Sequence, residues 1–285
     1  MRDELRLPFP PVPADLHAEH APGELWLRPF GLKESDLAVD FHQALRPLLV
    51  TEVLRCCTES AAPLAADFFW ALTISTRIEC LLTVACGAQG AGLPVVLRCP
   101  ETGCREPLEL ELLAEEIAGL RMQMNAVELI AVACGDARLY LRRPTGRDQL
   151  AWLDARFADE ETATRTMLRS LLDEDAAAVA AYGQTSEAVL ARAECVRVLN
   201  DALEEHDPLV SFKMIVGCPY CNVEHAHEVD LAELALERLR QQQRRLVADI
   251  HLLARHYHWS EAQIFAVPHW RRALYLNIIA REENP

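Results

Sequence analysis

The chain has 285 residues, 51% of them apolar and 25% charged, which suits a globular protein with a core large enough to fold without a staple. Its net charge of −15 argues against nucleic-acid binding as the main task. Its longest apolar stretch, 63–87, is broken by Asp67, Arg77 and Glu79, and its opening MRDELRLPFPPVPADLH lacks a signal peptide's apolar core. We therefore expect neither membrane insertion nor export, and place the protein in the cytoplasm of the producing cell.

In chain order, residues 1–24 are proline-rich and aperiodic, which predicts an extended arm. A helical region follows over 25–92. It opens with a short strand at 25–30 (ELWLRP), then shows helical spacing from about 35 to 59 and again from Pro63, a residue suited to a first helical turn, to Cys86. Residues 93–229 carry the β signals. LPVVLRC and EPLELEL flank a tight turn, and VELIAVA and ARLYLRR flank Gly135-Asp136, a hairpin signal. A helical insertion spans about 147–206 and ends at Asp207-Pro208. VSFKMIVGC and VEHAHEVDL then flank a second tight turn. The C-terminal region, 230–285, is helical, with an apolar stripe through Leu231, Leu239, Leu246, Ile250 and Leu253, and with Ser260 and Gln263 forming a capping box. The expected fold is α+β, mostly helical, with a small antiparallel β-module built on zinc-ribbon-like cysteine knuckles. Eight arginines between Arg238 and Arg281 make the C-terminal part locally basic, a solvated face or a docking surface for an acidic partner.

The ten cysteines divide into two groups. Cys56, Cys57, Cys80, Cys86, Cys134 and Cys195 lie inside apolar patterns, where a free cysteine acts as a small hydrophobe. The other four sit in two turns that resemble each other, VVLRCPETGCREPLELEL and MIVGCPYCNVEHAHEVDL. Each runs strand, Cys-Pro, short turn, Cys, strand. A turn of that length aims two sulfurs at one point, and zinc asks for four soft ligands in a tetrahedron. Neither turn can fill that shell alone. We therefore expect Cys99, Cys104, Cys218 and Cys221 to hold one structural Zn2+, with His225 and His227 as alternative ligands. A closed four-cysteine shell has no position for substrate, so its contribution is to stability, on the order of 10–16 kcal/mol for such sites.

Cys218-Pro219-Tyr220-Cys221 also spells the active-site motif of glutaredoxins, and a Val-Pro pair, Val267-Pro268, follows at a plausible distance. In that fold the motif opens a helix, which lowers the first thiol's pKa. Here VEHAHEVDL alternates like a strand. A thiol-disulfide oxidoreductase using Cys218 and Cys221 is thus the alternative reading. No other catalytic constellation stands out, and we do not expect an enzyme.

One longer stretch is more specific, LLARHYHWSEAQIFAVPHWRRALYLNII. Its Leu253-Ala254, Tyr257, His258-Trp259-Ser260-Glu261, Pro268, Arg271-Arg272 and Tyr275 resemble the signature of the baseplate hub and hub-assembly proteins of T-even-type contractile phage tails, with relatives in phage-like contractile injection systems. The CPYC turn with Val229-Asp230-Leu231, LYLRRPTGRDQLAW and ELWLRPFGLKE are similar to further parts of that family, so the resemblance covers roughly 25–280. It implies a non-enzymatic protein, either a baseplate component or a chaperone of hub assembly, with baseplate or hub proteins as partners. It also implies a place in the producing cell or in the finished tail or injection particle. Tyr257 and Trp259 at a helix junction, and Trp270, Arg271 and Arg272 on what should be an exposed helix, are the candidate partner-binding residues, because aromatic and arginine side chains dominate binding hot spots.

Overall fold

The computed structural model describes residues 6–21, 23–87, 92–123, 129–135, 137–173 and 186–283. Its elements begin with β1 (Leu7–Pro8), α1 (Ala14–His20), β2 (Leu25–Leu27), a 3-10 turn (Glu34–Ala38), α2 (Arg46–Cys57) and β3 (Thr58–Ser60). Helices α3 (Phe68–Ala71) and α4 (Ile74–Cys86) lead to β4 (Leu93–Arg98), β5 (Pro107–Leu112) and α5 (Ala114–Gln123). The hairpin β6 (Leu129–Cys134) and β7 (Ala137–Arg142) precedes α6 (Gly146–Asp154), α7 (Glu160–Leu171), α8 (Ser186–Leu190) and α9 (Ala193–His206). Strands β8 (Lys213–Gly217) and β9 (Glu224–Glu228) are followed by α10 (Leu231–Tyr257), α11 (Glu261–Ala266) and α12 (His269–Glu283). This is the mostly helical α+β fold expected from the sequence, with its strands confined to small sheets.

The chain divides into two compact units, one of Met1–Ala65, Cys80–Pro94 and Ala232–Pro285, the other of Ala66–Glu79 and Val95–Leu231. The first holds the three-stranded sheet β1-β2-β3, in which Leu7 pairs with Leu27 and Trp26 with Glu59. Of the extended arm expected over 1–24, the described residues pair as strand at Leu7–Pro8 and turn helical over Ala14–His20. Leu7 and Ala21 are buried, and α1 lies between them, because two apolar residues among the prolines suffice to anchor the segment. At the other end of the sequence, Ile250 and Leu253 of α10 pack with Ile264 of α11 and Ile279 of α12. Ser260 and Gln263 close the expected capping box on α11. Gln243 on α10 donates to the carbonyls of Asp36 and Val39, at 3.0 and 2.9 Å, and so ties down the end of the 3-10 turn.

The second unit is built on β6–β7, paired from Leu129↔Arg142 to Cys134↔Ala137. Gly135 takes the left-handed conformation (φ 63°) that such a two-residue turn demands, while Asp136 lies outside the described residues. Period-two alternation puts Ile130, Val132, Leu139 and Leu141 on one face, where they meet Leu168 and Leu171 of α7, Val189 of α8 and Leu199 of α9. The helical run expected over about 160–182 stops at Leu171, and residues 174–185 lie outside the described residues.

Pro63 does not open a helix. The helix begins at Phe68, breaks, and restarts at Ile74, since Thr73 forms a β-bridge with Thr145 and the Ile74 N–H goes to the Pro144 carbonyl. A proline permits a first turn but supplies no reason to continue one. The bridge then lets Arg77, 1% exposed, cover Trp70 with its Cζ 4.7 Å from the ring centroid. Gly146 leaves room for that guanidinium, because a Cβ there would meet it head-on.

Candidate metal centre

β4 delivers Cys99 and β8 delivers Cys218, each as the first residue after a strand. The N–H of Cys99 bonds to the Glu106 carbonyl and that of Cys218 to the Val223 carbonyl, both at 3.0 Å. In both turns the accepting residue stands two after the second cysteine. The two turns are therefore the same device, and the first differs only in holding two more residues between its cysteines. The proline after each first cysteine has no N–H to satisfy, which suits a tight reversal.

Among the described residues, the one group able to hold a metal ion is Cys99, Cys104, Cys218 and Cys221, whose sulfurs all lie within 4.8 Å of one another. Cys99 and Cys221 are 3.7 Å apart, as are Cys104 and Cys218. Sulfurs bound at about 2.3 Å around a tetrahedral zinc lie about 3.75 Å apart, whereas a disulfide needs about 2.05 Å. Both of these contacts join one turn to the other, so the group is one shell made by two hairpins. Leu108 is buried beside it, and the partly buried Leu97 and Val216 pack against the same cluster, which shields one side from water.

Burial opposes ionisation of the Cys218 thiol, but the N–H groups of Cys221 and Tyr220 overcome it and hold the thiol down at about 7. Burial pushes Cys99 up to about 12. One thiolate thus forms readily, and a divalent cation bound to it would draw off the remaining protons, since the ligand is always the thiolate. The geometry supports a metal site; it does not by itself name the metal. His225 and His227 share one face of β9 with ring centroids 6.4 Å apart and are not part of the sulfur group. The Nε2 of His225 instead lies 3.5 Å from the Glu101 carboxylate. The strand β9 directly after Cys221 removes the helix that a glutaredoxin-type thiol requires.

Of the six other cysteines, Cys57, Cys80, Cys134 and Cys195 are buried as the apolar patterns require. The candidate partner-binding residues separate into two sets. Tyr257 and Trp259 are half-buried and stacked, with centroids 4.8 Å apart and planes at 23°, and Tyr275 closes the cluster at 5.2 Å from each. His258 between them has φ 56°, the reversal that lets neighbours in sequence stack. Trp270 and Arg271 are exposed. Arg272, expected on the same exposed face, is instead 6% exposed, with its Cζ 5.1 Å from the Phe265 ring centroid, because one residue of helix turns a side chain through about 100°. The exposed face is continued by Leu274 and Ile278, which the spacing of four from Trp270 would have revealed.

No protein-family model matches the chain, and neither does any curated protein or solved structure. No helix among the described residues is long and apolar enough to cross a membrane.

Proposed function

We propose that the chain is a non-enzymatic baseplate component, or an assembly factor of the baseplate hub, in a contractile phage tail or phage-like contractile injection system, stabilised by structural zinc in its four-cysteine shell. The observation that carries the structural half is the spacing of the sulfurs. Four sulfurs within 4.8 Å of one another, two pairs of them at 3.7 Å, can supply all four ligands of a zinc ion, and a closed shell stabilises but does not turn over. The assembly half rests on the sequence resemblance. It is supported by α12, which exposes Trp270, Leu274 and Ile278 along one line beside Arg271. A Trp flanked by apolar and arginine side chains on a helix face is the composition of a protein contact.

The deciding experiment is mass spectrometry of intact contractile particles purified from the producing strain, alongside the lysate. Fixed stoichiometry in the particle makes the chain a baseplate component. Presence only in lysate, bound to hub proteins, makes it an assembly factor. Absence from both removes the assignment.

The oxidoreductase reading keeps one favourable observation, the low Cys218 thiol. It requires that thiol to be accessible, whereas Cys218 is 1% exposed and faces Cys104 across the shell. Rapid alkylation of Cys218 in metal-loaded protein would favour it over the structural reading.

A further inference from the structure

A cavity of about 200 Å3 lies in the first unit, between α10 and α12 and beside Phe30 and Gly31. Its wall includes Leu246, Ile250, Leu253 and Leu276, so most of it is apolar. Arg272 also lines it, more than nine-tenths buried, and its Nε has no hydrogen-bond partner. No carboxylate makes a salt bridge to this guanidinium among the described residues. The Phe265 ring, 5.1 Å away, returns only part of what a buried cation loses with its water. Gln242 shares the wall; its amide nitrogen donates to the Ala85 carbonyl at 3.1 Å, but its Oε1 is buried without a donor. The cavity therefore has, against apolar walls, a buried guanidinium nitrogen and a buried amide oxygen that both lack a hydrogen-bond partner.

The charges facing it are Arg272, Arg245, Asp249 and His269. Burial pulls Arg272 and His269 down and pushes Asp249 up, each toward its neutral form. Two arginines against one aspartate leave a surplus of one positive charge, which selects a monoanion. The volume lies below the roughly 300–1,000 Å3 of drug-sized pockets and suits a group the size of one amino acid.

We propose that this cavity binds a carboxylate carried on a short branched apolar group, with the carboxylate against Arg272 and the apolar part against Leu246, Ile250 and Leu276. A planar guanidinium is the matching fork for a carboxylate. The same chemistry is offered by a free small acid and by the C-terminal residue of a partner chain, whose amide N–H would also satisfy Gln242. The site is independent of the metal centre and of the baseplate reading.

The test is an NMR titration of the full-length, metal-loaded protein. It follows the Nε–H resonance of Arg272, assigned by its loss in Arg272→Lys, and the methyl resonances of Ile250 and Ile264. The ligands are 4-methylvalerate and N-acetyl-leucine, with N-acetyl-leucine amide as the neutral control, all at constant ionic strength. A saturable shift with at least one carboxylate and none with the amide is the expected result. Tighter binding of N-acetyl-leucine identifies a chain terminus as the source, and tighter binding of 4-methylvalerate a free acid. Arg272→Lys should weaken binding by about tenfold or more, since it removes the fork. Arg245→Gln, at an exposed position, should weaken it by about threefold. The proposal is overturned if neither carboxylate gives a saturable shift, if the amide shifts the same resonances equally, or if both variants bind as the wild type does.

Discussion

Arg28 and Arg142 make the same bonds in the two units of the chain. Each follows Leu-aromatic-Leu, Arg142 as the last residue of β7 and Arg28 directly after β2, and each grips one carboxylate with both terminal nitrogens. Arg28 reaches Asp36 at 2.7 and 2.5 Å, and Arg142 reaches Asp148 at 2.7 Å twice. Each also donates to the carbonyl of the next residue and to one near the end of a helix, Cys56 of α2 and Ser170 of α7. In the turn that follows the strand, Asp36 accepts the backbone N–H groups of Gly31 and Lys33, and Asp148 accepts the N–H and the hydroxyl of Thr145. The ion pair is thus a bracket that fixes strand, turn and helix in one stroke.

The two brackets differ in depth, and their loss should differ accordingly. Arg28 and Asp36 are 4% and 0% exposed, whereas Arg142 is 40% exposed. Asp36→Ala strands a buried guanidinium and should cost about 3–5 kcal/mol. Asp148→Ala leaves Arg142 able to recover water and should cost about 1–3 kcal/mol. Urea unfolding of both variants checks the order, and a larger loss at Asp148 would contradict the role assigned to burial.

The repetition extends to the cysteine turns. Arg105 and Asn222, each directly after the second cysteine of its turn, have φ 53° and 58°. Left-handed backbone costs a residue with a Cβ about 1 kcal/mol, less for asparagine. Arg105→Gly should therefore stabilise the metal-loaded protein by about 1 kcal/mol and Asn222→Gly by a few tenths. Thermal unfolding measures both, and destabilisation by Arg105→Gly would show that its side chain has a role beyond the turn.

Asp207, just after α9, is 3% exposed, and burial outweighs the pull of Arg143 and Ser75 to push its carboxyl up to about 6. Between about pH 4 and 6 the folded state keeps a proton that the unfolded state has released. Stability from this group is present at the low end of that window and lost as pH rises through it, by up to about 3 kcal/mol. Asp207→Asn should remove that slope and be the more stable protein at pH 7, by about 1–2 kcal/mol. Denaturant melts from pH 4 to 8 on both proteins test this, and parallel curves would refute it.

Cys218→Ser should abolish metal binding and release amide protection together in β4, β5, β8 and β9, because the four strands share one shell. Cys134→Ser alters a buried cysteine in the core of the second unit, outside that shell. It should keep the metal and cost about 1–3 kcal/mol for burying a hydroxyl. Hydrogen exchange with metal analysis distinguishes them; equal metal loss in both variants would mean that the four sulfurs are not the site.

Both cysteine turns were legible in the sequence because their geometry is local: Cys-Pro, a short turn and a flanking strand on each side. That they meet, although Cys104 and Cys218 are 114 residues apart, followed from coordination chemistry, since each turn supplies half a shell. The brackets were not read, because arginine and aspartate are surface residues by default and nothing local marks an exception. The repeated Leu-Trp-Leu-Arg28 and Leu-Tyr-Leu-Arg142 was the available signal. Arg272 was misplaced for a related reason: on a helix apolar on both faces, residue type does not say which face is inside, and only the packing of Ile264 and Ile279 decides it.

The central claim, one closed tetrahedral zinc site, is tested most directly by metal analysis and zinc-edge X-ray absorption on protein purified without chelator. The account predicts one zinc per chain with four sulfur neighbours at about 2.3 Å and no oxygen or nitrogen in the first shell. A mixed shell, or no bound metal with Cys218 and Cys221 joined as a disulfide, would contradict it.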